Sequence, residues 1–298
     1  MQETILHYFQ NIANPFLDSF FSLATMLGEQ YVIIAVITWV YWNISKKDGF
    51  ILTYLFLIST LVNSLLKIAF HTQRPFQALE EIAGKRVHTA TGYSFPSGHT
   101  QGATSMFTTL ALMMKKSWFW AIAMVLSILV AVSRVYLGVH WPVDVLFGLI
   151  FGLLVPLILY SFLSRAFEDK EKFNKILYFT LIVIYFFAAV LLILNHFVLE
   201  NPLDYSGYFK LLGVATGAIA GFLLEESKYP YQIEASFGIK FLRYLIGIST
   251  TIGIMIGFKV LLPEAELSDY IRYLLVGVWI SGLYPIVGLK LGIFKLTN

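Results

Sequence analysis

The chain has 298 residues, of which 58% are hydrophobic and only 13% are charged. Soluble globular domains carry roughly 25% charged residues and are about half apolar, so this composition excludes an ordinary soluble domain and indicates a polytopic membrane protein. The absence of cysteine excludes disulfides, thiolate catalysis and cysteine-ligated metals, and the net charge of +3 says little about partners.

The chain begins with residues 1–20, whose apolar side chains recur at helical spacing and predict a short interfacial helix. Nine apolar segments follow, each near the roughly 20 residues that span a bilayer. They cover residues 22–43, 50–70, 98–114, 118–135, 142–163, 175–195, 208–224, 240–262 and 271–291. The predicted fold class is therefore all-α, a polytopic integral membrane bundle of about nine transmembrane helices. The first residues lack a basic leader, so we expect no cleavable signal peptide.

The basic residues between the segments predict the orientation. Most of them fall in links on one side, as with Lys46, Lys115 and Arg165. The positive-inside rule assigns these links to the cytoplasm, which puts the N-terminus outside and the C-terminus inside. We therefore expect the longest link, residues 71–96, to lie outside the cytoplasm.

The charged link at residues 164–175 is the clearest boundary in the sequence. It separates residues 1–163, which we interpret as a catalytic bundle, from residues 164–298, a four-segment membrane part of unknown role. Glycines repeat at four-residue spacing in two of these later segments, at Gly213, Gly217 and Gly221 and at Gly253 and Gly257. Such faces permit close helix packing, and packing within the monomer is favoured over dimerisation.

Three short motifs carry ionisable residues at segment ends on the predicted outer side. They are Lys67 with Arg74 and Pro75, then Pro96-Ser97-Gly98-His99, then Ser133-Arg134 with His140 and Asp144. Charged residues at membrane depth are functional candidates by default.

Phosphate explains this set of residues economically. Lys67, Arg74 and Arg134 supply three cations, and a phosphoryl group in transfer needs positioned cations around its oxygens. The helix that starts near Gly98 offers free backbone N–H groups to an anion, and Ser97 can add a hydroxyl donor. His140 and Asp144 are four residues apart, so the carboxylate can hold one imidazole nitrogen and leave the other free to attack.

The three motifs, in this order, resemble those of the phosphatidic acid phosphatase type 2 superfamily, which shares its site with the vanadium haloperoxidases. The resemblance covers residues 67 to 144 and implies roles for the two histidines and the carboxylate. His140 is the nucleophile that becomes phosphorylated, Asp144 orients it, and His99 protonates the leaving oxygen and later activates water. The resemblance also implies no metal ion and no cofactor.

The expected function is that of an integral membrane phosphatase acting on a phosphate or diphosphate ester of a lipid. Undecaprenyl diphosphate at the outer face of a bacterial plasma membrane is the first choice, followed by phosphatidic acid, phosphatidylglycerol phosphate and sphingoid-base phosphates. The nine-segment layout looks like that of glucose-6-phosphatase and sphingosine-phosphate phosphatases, so a sugar phosphate stays open, as does lipid-phosphate transport. The expected partners are the bilayer and a lipid phosphate, with no nucleic acid, and the oligomeric state is open.

Overall fold

A computed structural model describes residues 1–198 and 204–297, and most of these residues are helical. The chain divides into two compact units. The first unit contains Met1–Ile34 and Leu55–Phe162, and the second contains Ala35–Tyr54 and Leu163–Asn298. The all-α fold class predicted from the sequence is confirmed.

Eight α-helices lie wholly or partly in the first unit. They are α1 (Gln2–Asn11), α2 (Pro15–Met26), α3 (Gln30–Asn43), α4 (Lys46–Phe70), α5 (Pro75–Ala78), α6 (Gly98–Met114), α7 (Ser117–Tyr136) and α8 (Pro142–Ala166). The first residues of α2 explain why the helix begins there. The Asn14 side chain accepts from two backbone N–H groups of the first turn, and Pro15 suits the first helical position. The link between α5 and α6 contains a single 3-10 turn, Val87–Thr89.

The second unit holds the remaining elements. They are α9 (Lys170–Ile193), α10 (Ser206–Lys228), α11 (Phe237–Leu261), α12 (Glu266–Val278), α13 (Tyr284–Lys290), and the antiparallel pair β1 (Tyr231–Gln232) and β2 (Lys295–Leu296). A π-helical turn, Trp279–Leu283, joins α12 to α13, and another, Leu194–Val198, follows α9. Residues 35–54 belong to this unit, partly because Tyr41 and Trp42 donate side-chain hydrogen bonds to the carbonyls of Ser281 and Ile280.

The number of membrane spans differs from the sequence prediction. Within residues 1–198 and 204–297, seven helices are long and apolar enough to cross a membrane, or eight if the bent pair α2 and α3 forms one span. The third predicted segment is α6, which has only 17 residues. The chain is a polytopic helical membrane protein, and the count of nine is not confirmed.

The N-terminal region also differs from its prediction. The sequence predicted one interfacial helix over residues 1–20 and a span over 22–43. The structure has two helices, α1 and α2, and α2 runs on to Met26 before a 43° bend leads into α3. The cap formed by Asn14 and Pro15 ends the first helix early, and that local signal outweighs the apolar periodicity.

Glycines let α8 approach α6 closely in the first unit. A Cβ at Gly148 would lie 3.0 Å from the carbonyl oxygen of Ser97, and a Cβ at Gly152 would lie 2.6 Å from that of Gln101. The two helices therefore touch along their backbones, which fixes the start of α6 against the first turns of α8. This contact brings the second and third motifs together.

The glycine stripe of α10 packs on α12, as the sequence favoured. A Cβ at Gly217 would lie 2.1 Å from the carbonyl oxygen of Leu274, and one at Gly213 would lie 2.3 Å from that of Tyr270. The stripe of α11 is different, because a Cβ at Gly253 or Gly257 would meet no atom of the described residues within 4 Å.

Candidate active site

All eight site residues predicted from the sequence lie in the first unit, at the ends of its helices. Lys67 lies in the last turn of α4, Arg74 just precedes α5, Ser97 precedes α6, and Gly98 and His99 begin it. Arg134 lies in the last turn of α7, His140 in the link that follows, and Asp144 in the first turn of α8.

His140 and Asp144 form a buried pair. The His140 ring is 2% exposed, and its Nδ1 lies 3.2 Å from the Asp144 Oδ2. The same oxygen accepts from the backbone N–H of Trp141 at 2.9 Å and from the hydroxyl of Ser94 at 2.5 Å. The carboxylate is therefore held in one orientation by several donors, and it in turn fixes the imidazole.

The other ring nitrogen of His140 faces a guanidinium. Nη1 of Arg74 lies 3.0 Å from the His140 Nε2, which makes Nε2 the acceptor and leaves the ring proton on Nδ1, toward Asp144. Burial, and then the positive charges of Arg74, Arg134 and Lys67, lower the pKa of His140 well below its usual 6.5. The ring is therefore neutral at neutral pH, with the Nε2 lone pair directed at a cation.

Arg74 uses all its nitrogens on the neighbouring backbone and on His140. Its Nε and Nη2 donate to the carbonyl oxygens of Gly92 at 3.0 Å and Thr91 at 2.7 Å, and Nη1 donates to that of Val139 at 2.9 Å. Arg74 thus connects the loop at residues 71–96 to Val139, the residue that precedes His140.

Lys67 reaches the same loop from α4. Its ammonium donates to the carbonyl oxygen of Tyr93, which also accepts from Arg74 at 3.2 Å. Two of the three predicted phosphate-binding cations therefore converge on one carbonyl oxygen of the loop. A carbonyl oxygen and a phosphoryl oxygen attract the same donors, so this position is chemically suited to phosphate.

Arg134 is completely buried, and only part of its guanidinium is engaged. Its Nη1 donates to the hydroxyls of Thr25 at 3.0 Å and Thr89 at 3.3 Å. Nε and Nη2 have no hydrogen-bond partner within the part of the chain that the structure describes. These two nitrogens form one edge of the guanidinium fork, and such an edge suits an oxyanion.

The second motif begins α6 beside this pair. The Ser97 hydroxyl accepts from the Thr100 hydroxyl at 3.0 Å and caps the helix, and the Ser97 N–H donates to the backbone carbonyl of Asp144 at 3.0 Å. In the part of the chain that the structure describes, a Cβ at Gly98 would meet only the Asn63 Oδ1, at 3.4 Å. The Nε2 of His99 is buried and has no hydrogen-bond partner among the described residues.

Sequence reasoning missed several residues that support the site. Ser94 holds the carboxylate of Asp144, and Thr25 and Thr89 hold Arg134. Each is a small hydroxyl residue far from its partner in the chain, so no local pattern marks it. Asn63, which lies one helical turn before Lys67, donates to the carbonyl oxygen of Pro96 at 3.3 Å and so supports the start of α6.

The charges of the site are arranged for an anion. The positive charges of Arg74, Arg134 and Lys67 lower the pKa of His140. The free backbone N–H groups in the first turn of α6 are further donors for an anion. Among residues 1–198 and 204–297 no group of three His, Asp or Glu side chains has the arrangement of a metal site. The geometry suits transfer of a phosphoryl group to a buried, oriented imidazole.

Comparisons with known proteins agree with this chemistry. Residues 48–168 match the family described as the PAP2 superfamily. The chain is 33% identical to an undecaprenyl-diphosphatase of Sulfolobus acidocaldarius over 150 residues, which are 50% of this chain and 69% of that relative. The chain belongs to the PAP2 superfamily. The resemblance drawn from the three motifs is thus confirmed.

Two further relatives come from Bacillus subtilis. Phosphatidylglycerophosphatase B is 31% identical over 54% of this chain and 80% of its own length. Undecaprenyl-diphosphatase BcrC is 29% identical over 52% of this chain and 81% of its own length. PAP2 relatives with these names are membrane lipid phosphatases, and this chain is a phosphatase of the same membrane family.

The second unit has its own counterpart among PAP2 proteins. Residues 209–296 match the family described as "PAP2 superfamily phosphatase, transmembrane extension". The four-segment part predicted from the sequence is therefore related in part to an extension that occurs in this superfamily.

Proposed function

We propose that the chain hydrolyses a phosphate or diphosphate ester of a membrane lipid through a phosphohistidine at His140. One observation carries the proposal. The Nδ1 of His140 is held by Asp144 at 3.2 Å, while its Nε2 lies 3.0 Å from the Arg74 guanidinium. The nucleophilic lone pair therefore points toward the cation beside which a phosphoryl group would bind.

In the first step, the Nη1 of Arg74 gives up its hydrogen bond to the Nε2 of His140 and turns to a phosphoryl oxygen, and the freed Nε2 lone pair attacks phosphorus to form a P–N bond. The P–O bond to the lipid breaks, and His99 gives the departing oxygen a proton. The unpartnered Nε and Nη2 of Arg134 bind equatorial phosphoryl oxygens, and Lys67 and Arg74 exchange their loop carbonyl partners for the remaining oxygens.

In the second step, water attacks the phosphohistidine and the P–N bond breaks. His99, now neutral, takes the proton of the water, and inorganic phosphate leaves. Asp144 stabilises the positive charge that His140 carries between the two steps, because its Oδ2 stays hydrogen-bonded to Nδ1. Ser97 caps α6, so its contribution is to hold the backbone N–H groups of Gly98 and His99 toward the phosphate.

The proposed reaction needs no metal ion and no cofactor. Three side-chain cations, Lys67, Arg74 and Arg134, supply the positive charge that a divalent metal supplies in many phosphoryl-transfer enzymes. Orthovanadate should inhibit, because it can adopt the five-coordinate geometry of the transition state at His140.

Undecaprenyl diphosphate is the proposed substrate, and phosphatidylglycerol phosphate is the second candidate. Both choices are supported by the names of relatives that are 29–33% identical to the chain. Both are phosphorylated membrane lipids, in keeping with a site built at the ends of membrane helices. The distribution of basic residues supports a site on the extracytoplasmic side of a plasma membrane.

The test is phosphate release by purified full-length protein in detergent. The panel contains undecaprenyl diphosphate, phosphatidylglycerol phosphate, phosphatidic acid and glucose 6-phosphate, each with and without chelator, and His140→Ala is the control. We expect turnover of the diphosphate first and no loss of activity in chelator. Turnover of glucose 6-phosphate alone would overturn the lipid assignment, and loss in chelator that magnesium restores would overturn the metal-free reaction.

Transport is separated from hydrolysis by the same variant. If His140→Ala protein in liposomes moves labelled lipid phosphate across the bilayer as fast as the wild type, the chain is a transporter and the proposal is wrong.

A further inference from the structure

The bend between α2 and α3, at residues 27–29, lies against the candidate site. It belongs to none of the three motifs, and it lies outside residues 48–168, which match the PAP2 superfamily. The flanking residue Thr25 is in the last turn of α2, and Gly28 and Glu29 are in the bend itself.

Thr25 holds the buried guanidinium of Arg134. Both residues are completely buried, and Nη1 of Arg134 donates to the Thr25 hydroxyl at 3.0 Å. The second acceptor, Thr89, is farther away at 3.3 Å. Because a guanidinium is planar and rigid, fixing Nη1 also fixes the direction of Nε and Nη2, the two nitrogens that have no partner among the described residues.

Gly28 and Glu29 make two further contacts between the bend and the site, one with His99 and one with Arg86. A Cβ at Gly28 would lie 2.7 Å from the carbonyl oxygen of His99 and 3.1 Å from its Cβ, so the bend touches the His99 backbone directly. The carboxylate of Glu29 accepts from Nη2 of Arg86 at 2.5 Å. Arg86 immediately precedes the 3-10 turn that carries Thr89, so this ion pair anchors the second acceptor of Arg134.

We propose that the bend between α2 and α3 is a fourth part of the site, in which Thr25 is a positioning residue for Arg134. This inference rests on the proposed function only in that Arg134 binds the phosphoryl group. The hydroxyl of Thr25 determines the direction of the free guanidinium edge, and Gly28 allows the His99 backbone to approach. An N-terminal helix pair outside the matched region thereby controls how tightly the site binds an oxyanion.

The test compares Thr25→Val, which keeps the shape and removes the acceptor, with Thr25→Ser, which restores it. The matched control is Thr109→Val, because Thr109 is equally buried but donates to the carbonyl of Ser105 in its own helix. Thr25→Ala also lacks the acceptor, so a folded Thr25→Ala protein gives the same test if Thr25→Val does not fold.

Two readouts are measured on the full chain. The first is the concentration of orthovanadate that gives half of the maximal rise in melting temperature. The second is the pair of constants kcat and KM, measured separately on the best substrate of the panel. Removal of one hydrogen bond to a charged group should weaken vanadate binding on the order of 10-fold and raise KM by a similar factor. Thr25→Ser and Thr109→Val should stay within about twofold of the wild type.

The vanadate readout does not depend on having found the right ester. If the wild type binds vanadate but no substrate in the panel is hydrolysed, the substrate proposal fails while Thr25 is still tested. The inference is wrong if Thr25→Val binds vanadate within twofold of the wild type, or if Thr109→Val weakens binding as much.

Discussion

Replacing Ser94 with alanine tests whether the orientation of the His140–Asp144 pair governs the rate. Ser94 is completely buried, and its hydroxyl donates to the Asp144 Oδ2 at 2.5 Å. That oxygen also holds His140, and the second oxygen, Oδ1, has no partner among the described residues. Ser94→Ala therefore removes one of the hydrogen bonds that position the carboxylate, together with a longer contact of 3.4 Å to the Nδ1 of His140, and it leaves the Nε2 that attacks phosphorus untouched.

A hydrogen bond to a charged group contributes roughly 1.5–3 kcal/mol. At about 1.4 kcal/mol for each factor of ten, Ser94→Ala should lower kcat by roughly 10- to 150-fold, with KM changed little because no phosphate contact is lost. The assay is initial phosphate release under saturating substrate. The control is Ser127→Ala, because Ser127 is also buried but donates to the carbonyl of Ala123 in its own helix, at 2.7 Å. An unchanged kcat in Ser94→Ala, or an equal loss in Ser127→Ala, would refute the reasoning.

Three other predictions address the acid, the orientation and the second unit. His99→Ala should lower the initial rate roughly 10²–10⁴-fold on an alkyl phosphate and much less on p-nitrophenyl phosphate, whose leaving group needs no proton. Equal losses of rate on the two esters would show that His99 is not the general acid. Single cysteines at Glu80 and Lys170, in a chain without native cysteine, should react with an impermeant thiol reagent from opposite sides of the membrane; reaction from one side would contradict the topology. Gly217→Ala should destabilise by about 1–3 kcal/mol in thermal unfolding, because its Cβ would lie 2.1 Å from a carbonyl oxygen. Gly253→Ala should be neutral or stabilising, because no atom in the described part of the chain lies within 4 Å of its Cβ, and equal shifts for the two variants would contradict the packing.

The membrane class, the family and the set of residues that converge at the site could be predicted from the sequence. Their signals are local, since apolar segments are about as long as a bilayer is thick and each motif sits at a segment end. His140 and Asp144 are one helical turn apart, so their pairing follows from spacing alone, and the structure has them 3.2 Å apart.

The supporting contacts could not be predicted, because they join residues that are far apart in the chain. Thr25 and Arg134 are 109 residues apart, and Ser94 and Asp144 are 50 apart. A threonine in an apolar helix has many possible roles, and only tertiary packing selects one. The bend after Met26 was missed for a related reason, since the apolar pattern of residues 22–43 continues through it while the backbone does not.

The partners of Arg74 were also beyond sequence reasoning. Its spacing from Lys67 predicted a phosphate-binding cation, yet in the structure it donates to carbonyl oxygens of the loop at residues 71–96 and of Val139. Backbone carbonyls leave no trace in a sequence pattern, because every residue carries one.

The most direct test of the account is to trap the phosphorylated enzyme. Purified protein is mixed with a ³²P-labelled substrate, quenched within milliseconds and analysed under alkaline conditions that preserve phosphohistidine. The account predicts label on His140 in the wild type, none in His140→Ala, and retained label in His99→Ala when an aryl phosphate is the substrate. Label that persists in His140→Ala, or that maps to His99, would contradict the assignment of His140 as the nucleophile.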